Sequence, residues 1–177
     1  MPLPTRPLLV RGAEAETLGA GADTTTLLLD AHHTGSALNA VRTRLSPGTA
    51  GPPPHYHRRA PETFFLLDGA LDVLVDEEVV ALAAGDVLLV PAGAVHAWAT
   101  PADAPADVLI AKSPATDRFD YFRIADRVRR GLEDPQRILD TRERFDNHFT
   151  VSTVWKEHLV AAGHPAPLVA FPAGSGR

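Results

Sequence analysis

Three histidines and one carboxylate are the residues of this chain whose types and spacing can do chemistry. His55 and His57 stand two apart. On an extended strand such residues project from the same face, so both imidazoles point at one spot. Glu62 follows five residues after His57, and His96 supplies a third imidazole further along. Three nitrogens and one oxygen make a donor set that iron, nickel, manganese, cobalt, copper and zinc all accept, so one divalent transition metal per chain is the expected cofactor. The chain has no cysteine, which excludes disulfides, thiolate ligands and cysteine nucleophiles. In an octahedral site four protein donors leave two adjacent positions open for chemistry. A tetrahedral zinc bound by all four would be closed and structural. The sequence does not choose between them.

These side chains need strands to hold them, and the sequence is rich in strand signals. Residues 24–29 mix threonines with leucines, and residues 39–45 alternate Val41, Thr43 and Leu45 against Arg42 and Arg44, a half-buried strand with its arginines in solvent. Residues 51–54 form a stiff, proline-rich lead into His55. Beyond Glu62, short strands are expected at 63–67, 71–75, 79–82, 87–90, 96–99 and 108–111, broken at Asp68-Gly69, Asp76-Glu77 and Gly85-Asp86. An additional first strand is expected at 7–10. Evenly spaced strands without intervening helices imply a sandwich or barrel. His32 and His33 are adjacent, a poor chelating pair, and read as part of a solvated loop.

With 177 residues and 45% apolar content, the chain can bury a full core as one domain with an appendage. A net charge of −5 and the lack of any basic run argue against a nucleic-acid partner. No stretch approaches the roughly 18 apolar residues of a membrane span, and the N-terminus is too weakly apolar for a secretory signal. A soluble cytoplasmic protein is the default expectation.

Two motifs carry a family resemblance. His55, His57, Glu62 and Gly69 resemble the first cupin motif, H-x-H-x(3,4)-E-x6-G, and Gly85, Pro91, Gly93 and His96 resemble the second, G-x5-P-x-G-x2-H. Fifteen residues separate Gly69 from Gly85, as in compact members of the family. Two positions depart from the pattern: the glycine that opens the first motif is displaced, with Thr49 between Gly48 and Gly51, and Thr100 stands where asparagine often ends the second. The resemblance implies a mainly β fold, a double-stranded β-helix or jelly-roll cupin barrel over residues 1–113, with His55, His57, Glu62 and His96 as metal ligands. It also implies a homodimer and a small-molecule substrate.

If Glu62 points inward, strand phase brings Phe64 and Leu66 with it, and His96 brings Trp98. With Val41 and Leu45 these would line an apolar substrate pocket or simply fill the barrel. After Ser113 the pattern turns helical, giving a C-terminal α-helical extension over 114–164. Thr116 reads as the cap of a helix carrying Phe119, Phe122, Ala125 and Val128. Asp134-Pro135 starts a second helix with Ile138, Leu139, Arg142 and Phe145, and Ser152 a third with Trp155 and Leu159. The extension would serve as a lid or a dimer arm. Its arginines read as solvated, and His148, His158 and His164 as surface or packing residues. A flexible tail is expected at 165–177. The resemblance to quercetinase-like cupins implies a dioxygenase acting on an aromatic or flavonol-like molecule, with Glu62 as ligand and proton acceptor. The alternatives are a non-oxidative isomerase or polyketide cyclase that uses the metal as a Lewis acid, and a metal-dependent binding protein without turnover.

Overall fold

The computed structural model describes residues 5–164, so the tail expected at 165–177 lies outside the described residues. Ten strands form two facing antiparallel layers: β1 (Thr17–Ala20), β2 (Asp23–Leu29), β3 (Asn39–Leu45), β4 (His55–Tyr56), β5 (Glu62–Val75), β6 (Glu78–Ala83), β7 (Val87–Val90), β8 (His96–Ala99), β9 (Ala106–Lys112) and β10 (His148–Phe149). Five helical segments complete the fold: α1 (Ala31–Thr34), α2 (Phe119–Arg129), α3 (Gln136–Asp140), α4 (Arg142–Phe145) and α5 (Thr153–Ala161). Residues 7–10, expected as a strand, have no regular structure, and the first strand is β1. That stretch is largely exposed, so it lacks the buried face that holds a strand in a sheet.

The expected break at Asp68-Gly69 is instead a bend inside one long strand. The first part of β5 pairs with β7 and β9, and its second part with β6 and β8, so β5 belongs to both layers. A bulge between Leu66 and Asp68 lets it cross over. Gly69 has φ +80, and a Cβ there would lie 1.9 Å from the Pro105 carbonyl oxygen, which is why only glycine fits. Gly93 plays a similar part in the other motif. It has a positive φ inside the turn closed by Ala94 N–H to Pro91 O, and its own N–H donates to the His57 carbonyl at 2.7 Å. The spacing of each motif thus encodes a backbone joint as well as ligands.

The departure at Thr100 also has a structural role. Its buried hydroxyl accepts from Thr49 N–H at 2.8 Å and donates to Ser46 O at 2.7 Å, pinning the loop before the histidines. The space between the layers is filled by Leu27, Val41, Leu45, Phe64, Leu66, Val73, Val108 and their neighbours. On the outer face of the second layer, Trp155 of α5 packs against Leu74, Ala97 and Ala99. Ser152 caps α5, its Oγ accepting from Trp155 N–H as the sequence suggests.

The start of α2 differs from expectation. Thr116 does not cap it; Asp30, at the end of β2, accepts from the N–H groups of Arg118 and Phe119 at 2.7 and 3.0 Å. A carboxylate at a helix start satisfies free donors and complements the dipole, but here it comes from distant sequence. Asp30 also caps α1, so His32 and His33 sit on a single helical turn rather than a loop.

Candidate metal centre

His55 lies on β4 directly opposite His96 on β8, and Glu62 opens β5. Each is at most 5% exposed, as is His57, so four polar side chains are buried together in the barrel. One donor atom from each of the four lies within 4.8 Å of every other. Strand phase explains only part of this, because β4 is two residues long and His57 stands beyond its end.

The imidazole orientations are fixed by backbone carbonyls. Nδ1–H of His55 donates to Pro53 O at 2.9 Å, that of His57 to Asp146 O at 2.5 Å, and that of His96 to Ala94 O at 3.0 Å. With each Nδ1 occupied, each Nε2 is the free donor, the arrangement typical of metal-binding histidines. Glu62 Oε2 lies 3.1 Å from His96 Nε2, and Oε1 lies 3.4 Å from His57 Nε2. His57 Nε2 is buried and makes no hydrogen bond among the described residues. A buried, unsatisfied nitrogen costs free energy unless something binds it, and a cation between these four groups would do so.

The protonation states agree. Burial pushes the His57 imidazolium down to about 4, against the opposing pull of Glu62, and His55 falls well below its usual range through burial and the neighbouring His96 and His57. Burial also acts to raise Glu62, but His57 and His96 outweigh it and hold the carboxyl well below its usual range. Neutral imidazoles and an ionised carboxylate are the forms that bind a divalent ion.

The five residues expected along a pocket, Val41, Leu45, Phe64, Leu66 and Trp98, are all buried in the barrel core. The Trp98 indole N–H has no acceptor among the described residues, and Gly51 leaves room for it, since a Cβ there would lie 2.5 Å from Trp98 Nε1. Two clefts, of about 500 and 460 Å³, lie elsewhere and touch none of the four clustered residues. Asp30, His32 and Asp117 gather beside the larger cleft. The Asp30 oxygens there are occupied by helix N–H groups, and His32 bonds Asp117. This second group is a structural joint.

The extension completes the site in ways that sequence patterns did not reveal. β10 pairs with β4, placing Phe149 opposite His55 and the Asp146 carbonyl on His57. Most of its arginines are solvated and paired, as in Arg123 with Glu16 and Arg130 with Asp126. Arg118 is the correction: it is 4% exposed, its guanidinium over the rings of Tyr121 and Phe122. His148 is a packing residue, buried and stacked on Tyr56. His158 bonds Asp72 at 3.0 Å.

Lys112 was also missed. It ends β9 directly opposite Glu62, is 2% exposed, and its Nζ has no partner among the described residues. Burial, reinforced by Arg118, pushes its ammonium down to about 6. The unfolded chain has no such penalty, so Lys112 costs stability at neutral pH. Lys112→Met is therefore expected to raise the Tm of the metal-free protein by about 4 °C or more, measured by calorimetry at pH 7. An unchanged or lower Tm would show that the amine is satisfied in solution.

A cupin-domain family model matches residues 41–112, the span that holds both motifs. That span is a cupin domain. Quercetin 2,3-dioxygenase of Bacillus subtilis is 31% identical over 98 residues, a match spanning 55% of this chain and 29% of that protein. An RmlC-like cupin from Shewanella frigidimarina is 24% identical with a TM-score of 0.53, covering 66% of this chain and 96% of that one. The polyketide cyclase RemF from Streptomyces resistomycificus is 16% identical with a TM-score of 0.52, covering 73% and 100%. The fold is the jelly-roll expected from the sequence, with helices at its C-terminal end. No described helix is long and apolar enough to cross a membrane.

Proposed function

We propose that this cupin is a metal-dependent dioxygenase acting on a small aromatic molecule that bears an acidic hydroxyl. The observation that carries it is the convergence of three Nε2 atoms and one carboxylate in the buried barrel interior, with every Nδ1 tied to a carbonyl. His55, His57, Glu62 and His96 would hold the ion. When bound, a redox-active metal supplies Lewis acidity and the electron exchange that dioxygen chemistry requires. The similarity to a quercetin 2,3-dioxygenase supports the oxidative reading.

The chain's own residues have definable tasks. Glu62 is the proton acceptor: Oε1, 3.4 Å from His57 Nε2, is the more loosely placed oxygen, while Oε2 lies 3.1 Å from His96 Nε2. A carboxylate in this position can take the hydroxyl proton of the substrate as it binds. Phe64, Leu66, Val41 and Leu45 offer an apolar wall that excludes water, and the free Trp98 N–H offers one donor to orient an oxygen. The reading is tested with a flavonol or catechol in an oxygen electrode after metal analysis. Dioxygen uptake that matches substrate loss is expected. Equal turnover under argon would assign Lewis-acid chemistry instead, and binding without product under either gas would assign a binding protein.

A further inference from the structure

Beside the four clustered side chains lies a second set of buried groups with nothing to bind. Arg118 uses Nη2 on Asn147 Oδ1 at 3.4 Å, but its Nε and Nη1 have no acceptor among the described residues, and neither does Lys112 Nζ. Asn147 donates in turn to the Tyr121 hydroxyl at 3.0 Å, which fixes the far side of this group. The nearest carboxylates are committed. Glu62 is engaged with His57 and His96, and Asp146 accepts from the N–H groups of Arg58 and Arg59 and pairs with His148. Lys112 shares its register position with Glu62, so the two side chains leave neighbouring strands on the same inward face. Arg118 lies within electrostatic reach of both Lys112 and His57.

A buried guanidinium without counter-charge is costly, and a divalent ion held by Glu62 and the histidines would add to the positive charge around it. An anion is the missing component. Charge-assisted hydrogen bonds from a guanidinium to a carboxylate are strong, and Nε–H and Nη1–H of Arg118, on different edges of the group, each leave one such bond to offer an anion. We propose that Arg118 and Lys112 form a carboxylate-binding subsite next to the metal centre, so that the aromatic molecule acted on here carries a carboxylate. The proposal rests on reading the four-residue cluster as the metal centre.

The test is calorimetric titration of benzoate and of its neutral counterpart benzamide into the metal-loaded protein, with metal content measured on each sample. Benzoate is expected to bind at least about tenfold more tightly. Arg118→Gln should abolish that preference while metal content stays unchanged, and Arg118→Lys should restore it only in part. A benzoate preference that survives in Arg118→Gln would place the anion on the metal and overturn the subsite. Lys112→Met, which is expected to raise stability, gives an independent arm if the Arg118 variants do not fold. It should weaken benzoate severalfold and leave benzamide unchanged; an unaltered preference there would also overturn the proposal. If wild-type protein lacks metal yet keeps an Arg118-dependent benzoate preference, the subsite stands and the metal reading fails.

Discussion

Replacing Glu62 or His96 by alanine is expected to take the metal content of the purified protein from about one per chain to below about one in ten, and dioxygen uptake with it. Each residue contributes one of four donors, and each is at most 5% exposed, so water cannot easily replace the lost ligand in the closed interior. The two variants should differ in stability. Removing Glu62 deletes the one carboxylate among the four clustered donors while leaving His57 Nε2 and His96 Nε2 buried without it. Removing His96 leaves Glu62 ionised and buried with less to hold it, an uncompensated charge of the kind that costs several kcal/mol. His96→Ala should therefore be the less stable of the two in metal-free form. Elemental analysis and thermal melts on the same samples check both statements. Full metal content in either variant would mean that the ion, if any, sits elsewhere.

Acid is expected to destabilise the metal-free protein between about pH 7 and pH 4, before general carboxylate protonation dominates. The sign follows from the histidines. In the folded state His57 titrates near 4, whereas in an unfolded chain it titrates near 6.5. Below pH 6.5 the unfolded chain takes up a proton that the folded one refuses, so stability falls with pH. For His57 alone the full shift corresponds to roughly 3 kcal/mol, or about 6–12 °C in Tm for a chain of this size. His55 acts in the same direction. Glu62, held well below its usual range, adds a further loss only at lower pH, where the unfolded carboxyl protonates and the folded one does not. Bound metal should delay the loss, because protons must displace it first. His57→Asn, whose amide N–H can keep the bond to Asp146, should flatten the Tm profile in this window. A variant profile parallel to wild type would remove His57 as the cause.

The four clustered side chains were legible because their signal is local. An H-x-H pair, a carboxylate five residues on and a Pro-x-Gly turn before His96 constrain geometry through strand phase and backbone turns. The same locality recovered most of the strands, whose alternation reports which face is buried. Asp68-Gly69 was read as a break because glycine at positive φ serves equally in a turn and in a bulge. Only the close approach of the Pro105 carbonyl decides for the bulge. Arg118 and Lys112 were illegible for a different reason. A lone arginine or lysine is usually solvated, and their burial depends on helices and strands far apart in sequence closing over them.

By itself, then, the sequence determined the four-residue cluster, the barrel and the presence of helices after it, since each of these follows from residue type and short-range period. The tertiary structure alone decided that β5 joins both layers, that Asp30 caps α2 across the chain and that the Asp146 carbonyl orients His57. It also set two buried basic side chains with unused donors beside the candidate centre. The physical reason is that such contacts join residues dozens of positions apart. They are fixed by how whole elements pack, and that packing leaves no period in the local sequence to be read.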